Sequence, residues 1–185
     1  MNKLILASKS PRRKELLGML NIPFDIVVAD IDETIDYNND LVKEIENLSY
    51  RKAKAVFDKY PDAIVIGSDT IVRINNEVLG KPKSKEDAKD MIRKLSNNTH
   101  DVVTGVTILS KDHEETFSSI ASVTFYEVSE QEIEYYVNTC NLMDKAGAYA
   151  IQEDAGKFIK EIHGDYYTIV GLPIGEVYHR LKKYL

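Results

Sequence analysis

Short apolar runs interleaved with segments of helical period constrain this chain more than any other feature. Leu4-Ile5-Leu6-Ala7 and the β-branched run from Ala63 to Gly67 are too short for core helices and read as buried strands. Between them, Ser10-Pro11 pairs a favoured N-cap with a favoured first helical residue, and Leu16, Leu17 and Leu20 share one face of the helix that follows. Phe24 to Val28 reads as a second strand, and Ala29 to Asn39 as an acidic loop. From Asp40 to Tyr60, Leu41, Ile45, Leu48, Ala53, Val56 and Phe57 recur at helical spacing, and Pro61 closes that helix.

The second half adds hairpins. Thr70 to Ile74 and Glu77 to Leu79 flank the turn pair Asn75-Asn76, and Asp101 to Leu109 pairs with Thr116 to Tyr126. Ser84 opens a helix to about Leu95, and Ser129 with Glu132 forms a capping box. Phe158 to Ile162 and Tyr167 to Val170 read as strands, and Pro173 starts a final helix with a basic last turn. Hairpins set beside crossover-like helices imply an α/β fold with a mixed, partly antiparallel sheet and flanking helices. The 185 residues suit one domain, or two small lobes.

Composition excludes several classes. The net charge of -6, with no basic stripe, argues against a general nucleic-acid binder. No apolar stretch reaches membrane-spanning length and the run at Leu4 to Ala7 is too short for a signal peptide, so a cytoplasmic protein without a membrane partner is expected. The single cysteine, Cys140, cannot form an internal disulfide and is expected to be structural. The histidines at 100, 113, 163 and 179 have no zinc-ligand spacing.

Several short motifs have a chemical reading. Ser8-Lys9-Ser10-Pro11-Arg12-Arg13 joins strand to helix, where backbone N–H groups, serine hydroxyls and the fork of Arg13 suit an anion such as phosphate. A solvated basic turn is the plainer alternative, and the Gly-x4-Gly-Lys pattern of a Walker loop is missing. Gly67-Ser68-Asp69-Thr70 is expected at the end of a strand, where Asp69 could hold a hard cation or take a proton from water; an ordinary turn aspartate is the alternative. Gly80-Lys81-Pro82 would hold Lys81 in place, or be an ordinary surface turn. Asp32-Glu33 could furnish magnesium ligands within a loop otherwise merely solvated, and Lys52 is either a ligand residue or a surface lysine. Gln152, closing Gly147 to Gln152, carries an amide that both donates and accepts, as the edge of a base requires.

Taken in order, LASKSPRR at 6–13, Asp32-Glu33, Arg51-Lys52-Ala53, GSDTIV at 67–72, GKP at 80–82, TGV at 104–106, AGAYAIQ at 146–152 and GDYYTIVGLP at 164–173 resemble the motif series of the Maf family, over nearly the whole chain. The resemblance implies one Maf-like domain over 1–185, two lobes around a deep cleft as in the inosine-triphosphate pyrophosphatases, and frequent dimers. It implies hydrolysis of a nucleoside triphosphate to the monophosphate and pyrophosphate, with a divalent cation, Mg2+ or Mn2+. Arg12, Thr70 and Gln152 match the branch acting on dTTP and UTP, and modified pyrimidine triphosphates are a further candidate for the cellular target. Glu33 and Asp69 would hold the metal, with Asp69 also the base. Ser8, Ser10, Arg13, Lys52 and Lys81 would hold phosphates, and Arg12, Thr70 and Gln152 would sit nearer the base. Glu153-Asp154-Ala155 departs from the Gly-rich stretch of many relatives. The alternatives are a regulatory protein of septum formation and a pyrophosphatase of inosine, xanthosine or 7-methylguanosine triphosphates.

Overall fold

Side-chain caps start the helices where the sequence places them. Ser10 accepts a hydrogen bond from Arg13 N and Pro11 follows at the first helical position, giving α1 (Pro11–Gly18). Asp40 caps α2 (Leu41–Phe57), Ser84 caps α3 (Lys85–Leu95), and Ser129 with Glu132 closes a full capping box on α4 (Glu130–Thr139). The computed structural model of the chain describes residues 3–36 and 38–184, so position 37 of the acidic loop lies outside it.

Seven strands, β1 (Leu4–Leu6), β2 (Phe24–Ile26), β3 (Ile64–Ile74), β4 (Glu77–Leu79), β5 (Thr99–Leu109), β6 (Glu114–Phe125) and β7 (Ile159–His163), pair in the order β2-β1-β3-β5-β6-β7, with β4 on β3. β1 is parallel to β2 and β3, whereas β4 and β7 run antiparallel to β3 and β6. The mixed sheet is thus present. Asn75 and Asn76 both have positive φ, 48° and 66°, the conformation that a tight two-residue hairpin demands.

Two readings change. The segments 63–67 and 70–74 are one strand, so Gly67-Ser68-Asp69-Thr70 lies inside β3 and not at its end. The polar tripeptide looks like a break in the sequence, but strand pairing continues through it. Tyr167 to Val170 belongs to a short helix, α5 (Tyr166–Val170), instead of a strand. Asp165 dictates this: its carboxylate accepts from Thr168 N at 2.8 Å and Thr168 Oγ1 at 2.9 Å, a helix-start contact that overrides the β-propensity of the aromatic and branched residues. The final helix, α6 (Ile174–Leu181), follows Pro173 as expected.

The chain divides into two compact units, and β3, β5 and β6 contribute residues to both. The first comprises residues 1–70, 104–119 and 171–185. Here Ala53 and Val56 of α2 pack with Ile5, Ala7, Ala63, Val65 and Leu109. The second comprises residues 71–103 and 120–170. Its core joins the buried faces of α3 and α4 to Val72, Val102, Phe125, Tyr149 and Phe158. No helix among the described residues is long and apolar enough to cross a membrane.

His100 is buried in that second core. Its Nε2 lies 2.7 Å from the Tyr149 hydroxyl, and its ring meets Phe125 edge-on. Nδ1 is buried with no hydrogen-bond partner among the described residues. Burial pulls the imidazole pKa from its ordinary 6.5 down to about 4. Between these values the unfolded chain binds the proton and the folded chain does not, so stability falls as pH drops through that window. A full shift of this size corresponds to roughly 3 kcal/mol. The urea midpoint is expected to fall from pH 7 to pH 4.5, and His100→Gln, which keeps an amide against Tyr149, should flatten the fall. An equally steep fall in the variant would place its origin elsewhere.

Candidate functional site

The site is built where α1, α2 and β3 converge in the first unit. Parallel pairing of Leu4–Leu6 with Ile64–Ile66 sets the turn after β1 beside residues 67–70 of β3. Gly67 then allows α2 to lie unusually close. A Cβ there would stand 2.4 Å from Ser49 O and 2.7 Å from Ala53 N, so only glycine fits. The same helix crosses Gly105 of β5, where a Cβ would come within 2.6 Å of Ile45 O. This approach delivers Lys52, flanked in sequence by the Ser49–Ala53 contact, to the strand.

Lys52 Nζ lies 2.5 Å from Asp69 Oδ2 and 3.2 Å from Glu33 Oε1. Its side chain is only 9% exposed, so the charge is held and largely dry. Arg13 is buried too, and every arm is used. Nε donates to Gly171 O at 2.9 Å, Nη1 to Ser8 Oγ at 3.4 Å, and Nη2 to Thr70 Oγ1 at 3.0 Å. Nη2 also lies 3.6 Å from Asp69 Oδ1. Asp69 is therefore clasped by two cations. Burial pushes its carboxyl up, but Arg13, Lys52 and the Thr70 N–H together outweigh that and hold it below the usual carboxylate range.

The first turn of α1 completes the arrangement. Ser8 Oγ accepts from Ser10 N at 3.2 Å, and Ser10 Oγ receives Arg13 N as the helix cap. Both serines thus shape this turn, and a hydroxyl that accepts can still donate. Arg12 is half-buried in the same turn. The Asp32-Glu33 pair divides. Asp32 turns its carboxylate to Thr34, N at 2.9 Å and Oγ1 at 2.5 Å, and only Glu33 reaches Lys52.

A divalent cation fits this donor set in one mode. Among the described residues no group of three His, Cys, Asp or Glu side chains could hold an ion unaided. Asp69 and Glu33 are nonetheless two hard oxygen donors within reach of one ammonium, and magnesium sites commonly take one or two carboxylates and complete the shell with phosphate and water. In this structure Lys52 takes both carboxylates, a role that the sequence did not suggest.

The motif series carries over to the family level. The model of the family described as "Maf-like protein" matches residues 3–184. The chain belongs to that family. It is 45% identical over 184 residues, 100% of this chain, to a Bacillus cytotoxicus protein named dTTP/UTP pyrophosphatase, covering 96% of that protein. A Bacillus cereus protein of the same name is 46% identical over the same share of both chains, and one from Bacillus velezensis is 45% identical over 182 residues, 98% of this chain and 96% of the relative.

The remaining candidates of this Maf-like chain lie in the second unit. Lys81 is exposed between Gly80 and the buried Pro82, and Gly80 O accepts from Gly147 N at 3.0 Å. That bond ties the GKP turn to the AGAYAIQ segment, at whose end Gln152 is exposed. The departure at Glu153-Asp154 has local uses. Glu153 lies 3.4 Å from the buried Lys145, and Asp154 accepts the Cys140 thiol at 3.1 Å. Burial and that bond to Asp154 push the thiol pKa up, as suits a structural cysteine.

Four residues have roles that their motifs did not reveal: Gly67 and Gly105 as the bed of α2, Thr104, whose hydroxyl lies 2.9 Å from Thr70 Oγ1, and Gly171. Gly171 has φ of 123°, and its carbonyl receives both Arg13 Nε and Ser68 Oγ. A glycine inside an apolar strand is itself a signal of close backbone approach, so Gly67 and Gly105 were legible in principle. Gly171 was not, because its role lies in a carbonyl.

Proposed function

We propose that this chain is a nucleoside triphosphate pyrophosphatase that cuts dTTP and UTP, and modified pyrimidine triphosphates, to the monophosphate and pyrophosphate. The observation that carries the reading is the buried Arg13 and Lys52 converging on Asp69 beside the first turn of α1. The names of the full-length relatives point to the same reaction. A cytoplasmic location suits work on free nucleotides.

Charge explains how the residues would act. Arg13 and Lys52 are balanced by Asp69 and Glu33, so this cluster alone does not offset a triphosphate, which brings roughly four negative charges. Mg2+ or Mn2+ held by Asp69 and Glu33 would supply the missing positive charge and polarise the phosphate oxygens. Arg13, Lys52, Lys81 and the Ser8–Ser10 turn would hold the phosphates. As Arg13 and Lys52 move their bonds to phosphate, the cation would replace them as the positive charge beside Asp69 and keep it ionised. Asp69 is thus poised as the base in its ionised form. It takes a proton from water as the water oxygen bonds to the α-phosphorus, and the bridging oxygen leaves with its electron pair on pyrophosphate.

Base choice would rest on Gln152, with Arg12 and Thr70 as supports. Uracil and thymine offer carbonyl acceptors and one ring N–H, which an amide can match; cytosine alters that pattern, and purines are larger. A site whose polar groups are left unpaired rejects the wrong base. The test is pyrophosphate release from dTTP, UTP, CTP and GTP by wild type and Gln152→Ala, with a chelator arm. The two first substrates should be cut at least about tenfold better, because a polar group that the bound base buries and leaves unpaired costs roughly 1–3 kcal/mol. Gln152→Ala should narrow that ratio more than it slows the best substrate. Chelator should abolish activity, and magnesium or manganese restore it. No release from any triphosphate would overturn the reading; an unchanged ratio in the variant would remove Gln152 from base choice.

A further inference from the structure

We propose that Arg51 is a positioning residue for Glu33, acting on the loop backbone at both sides of that carboxylate. The inference rests on the metal reading of Glu33 given above. Arg51 Nη1 donates to Asp32 O at 2.5 Å and Nη2 donates to Thr34 O at 2.9 Å. The two carbonyls are those immediately before and after Glu33. The guanidinium fork therefore spans the residue without touching its side chain. Lys52, the next residue of α2, meets the Glu33 carboxylate itself at 3.2 Å. Adjacent helical positions diverge by about 100°. One residue can thus take the loop's backbone while its neighbour takes the side chain.

The contacts are suited to holding rather than charge pairing. Both acceptors are neutral carbonyls, and the Asp32 carboxylate is turned to Thr34. Arg51 Nε is buried with no hydrogen-bond partner among the described residues, so the guanidinium is partly desolvated to reach these carbonyls. Glu33 needs such help. It lies in a segment without helix or strand, its side chain is 44% exposed, and a metal ligand must be held in place to bind well. Lysine can substitute only in part, because it offers one compact ammonium where the planar fork offers two fixed donors.

The test uses the full chain as Arg51→Met, Arg51→Lys, Glu33→Gln and the double variant Glu33→Gln/Arg51→Met. Three quantities are read: amide exchange over residues 33–36, the Mg2+ concentration for half-maximal activity, and kcat/KM. Arg51→Met is expected to speed exchange at Thr34 about tenfold, and to raise the Mg2+ requirement by a similar factor, with little change in the thermal midpoint. Arg51→Lys should fall between, and it replaces the methionine variant should that fail to fold. Because Arg51 acts through Glu33, adding Arg51→Met to Glu33→Gln should cost little more kcat/KM. Losses that multiply in the double variant, or exchange at Thr34 as slow as in wild type, overturn the proposal. A Glu33→Gln protein with an unchanged Mg2+ requirement would overturn the metal reading instead. Exchange and the double variant would then still decide whether Arg51 positions Glu33.

Discussion

Asp69→Asn is expected to lower turnover at least about 100-fold, the usual scale for losing a positioned acid or base, while the fold survives. The amide keeps the size and shape of the carboxylate but can neither bind the water proton nor balance Arg13 and Lys52. Arg13 retains Gly171 O, Ser8 Oγ and Thr70 Oγ1, so its buried guanidinium is not stranded. Steady-state pyrophosphate release, with circular dichroism to confirm folding, measures the effect. Near-normal turnover would remove Asp69 from the mechanism.

The wild-type pH profile carries a second mark of the same residue. In the free protein Asp69 is held below the usual carboxylate range, so it stays ionised until the pH falls below that range. Any stability that this depressed pKa confers is present above the unfolded value and lost as pH falls through the folded one. In the substrate complex Arg13 and Lys52 turn to phosphate, and the bound cation would take their place beside the carboxylate. The acid limb of kcat is therefore expected at no higher pH than that of kcat/KM, since the first reports the complex and the second the free enzyme. A kcat limb at clearly higher pH would mean that no cation replaces Arg13 and Lys52 beside Asp69 in the complex.

How much of this was legible depends on the range of the interaction. Helix starts were readable because a cap is a contact within about three residues, as Ser10 with Arg13 N and Ser129 with Glu132 show. The Asn75-Asn76 turn was readable for the same reason. The sequence singles out Asp69 as a site candidate but misplaces it at the end of a strand. Nothing local says that a strand continues through Gly-Ser-Asp-Thr; pairing with distant segments decides it. The mutual arrangement of Glu33, Lys52 and Asp69 was illegible, because it depends on α2 crossing two strands at their glycines. The Arg13 anchor on Gly171 O joins residues 158 positions apart, through a carbonyl that any residue would carry.

The second large effect is expected from Gly67→Ala. A methyl group at this position would meet the Ser49 carbonyl oxygen at 2.4 Å, where ordinary contact begins at 3.4 Å. The obstacle is the backbone of α2, which cannot rotate aside like the end of a flexible side chain. The helix must instead retreat from β3 by roughly an ångström, a displacement that can cost about 100-fold in rate when it moves a catalytic group. Lys52 rides on the displaced turn, so its contact with Asp69 should be lost with the packing. Overpacking of this kind costs about 1–3 kcal/mol, or roughly 2–10 °C in the thermal midpoint for a chain of this size. Gly105→Ala supplies the control. It pushes on the same helix at Ile45 O, with 2.6 Å of separation, but nearly two turns before Lys52. Both variants should lose stability to a similar degree, and Gly67→Ala should lose at least about tenfold more kcat/KM. Equal losses of activity would mean that α2 shifts as a rigid rod and that Gly67 sets only its packing distance. An unchanged rate in Gly67→Ala would show that the Lys52–Asp69 contact is not needed for turnover.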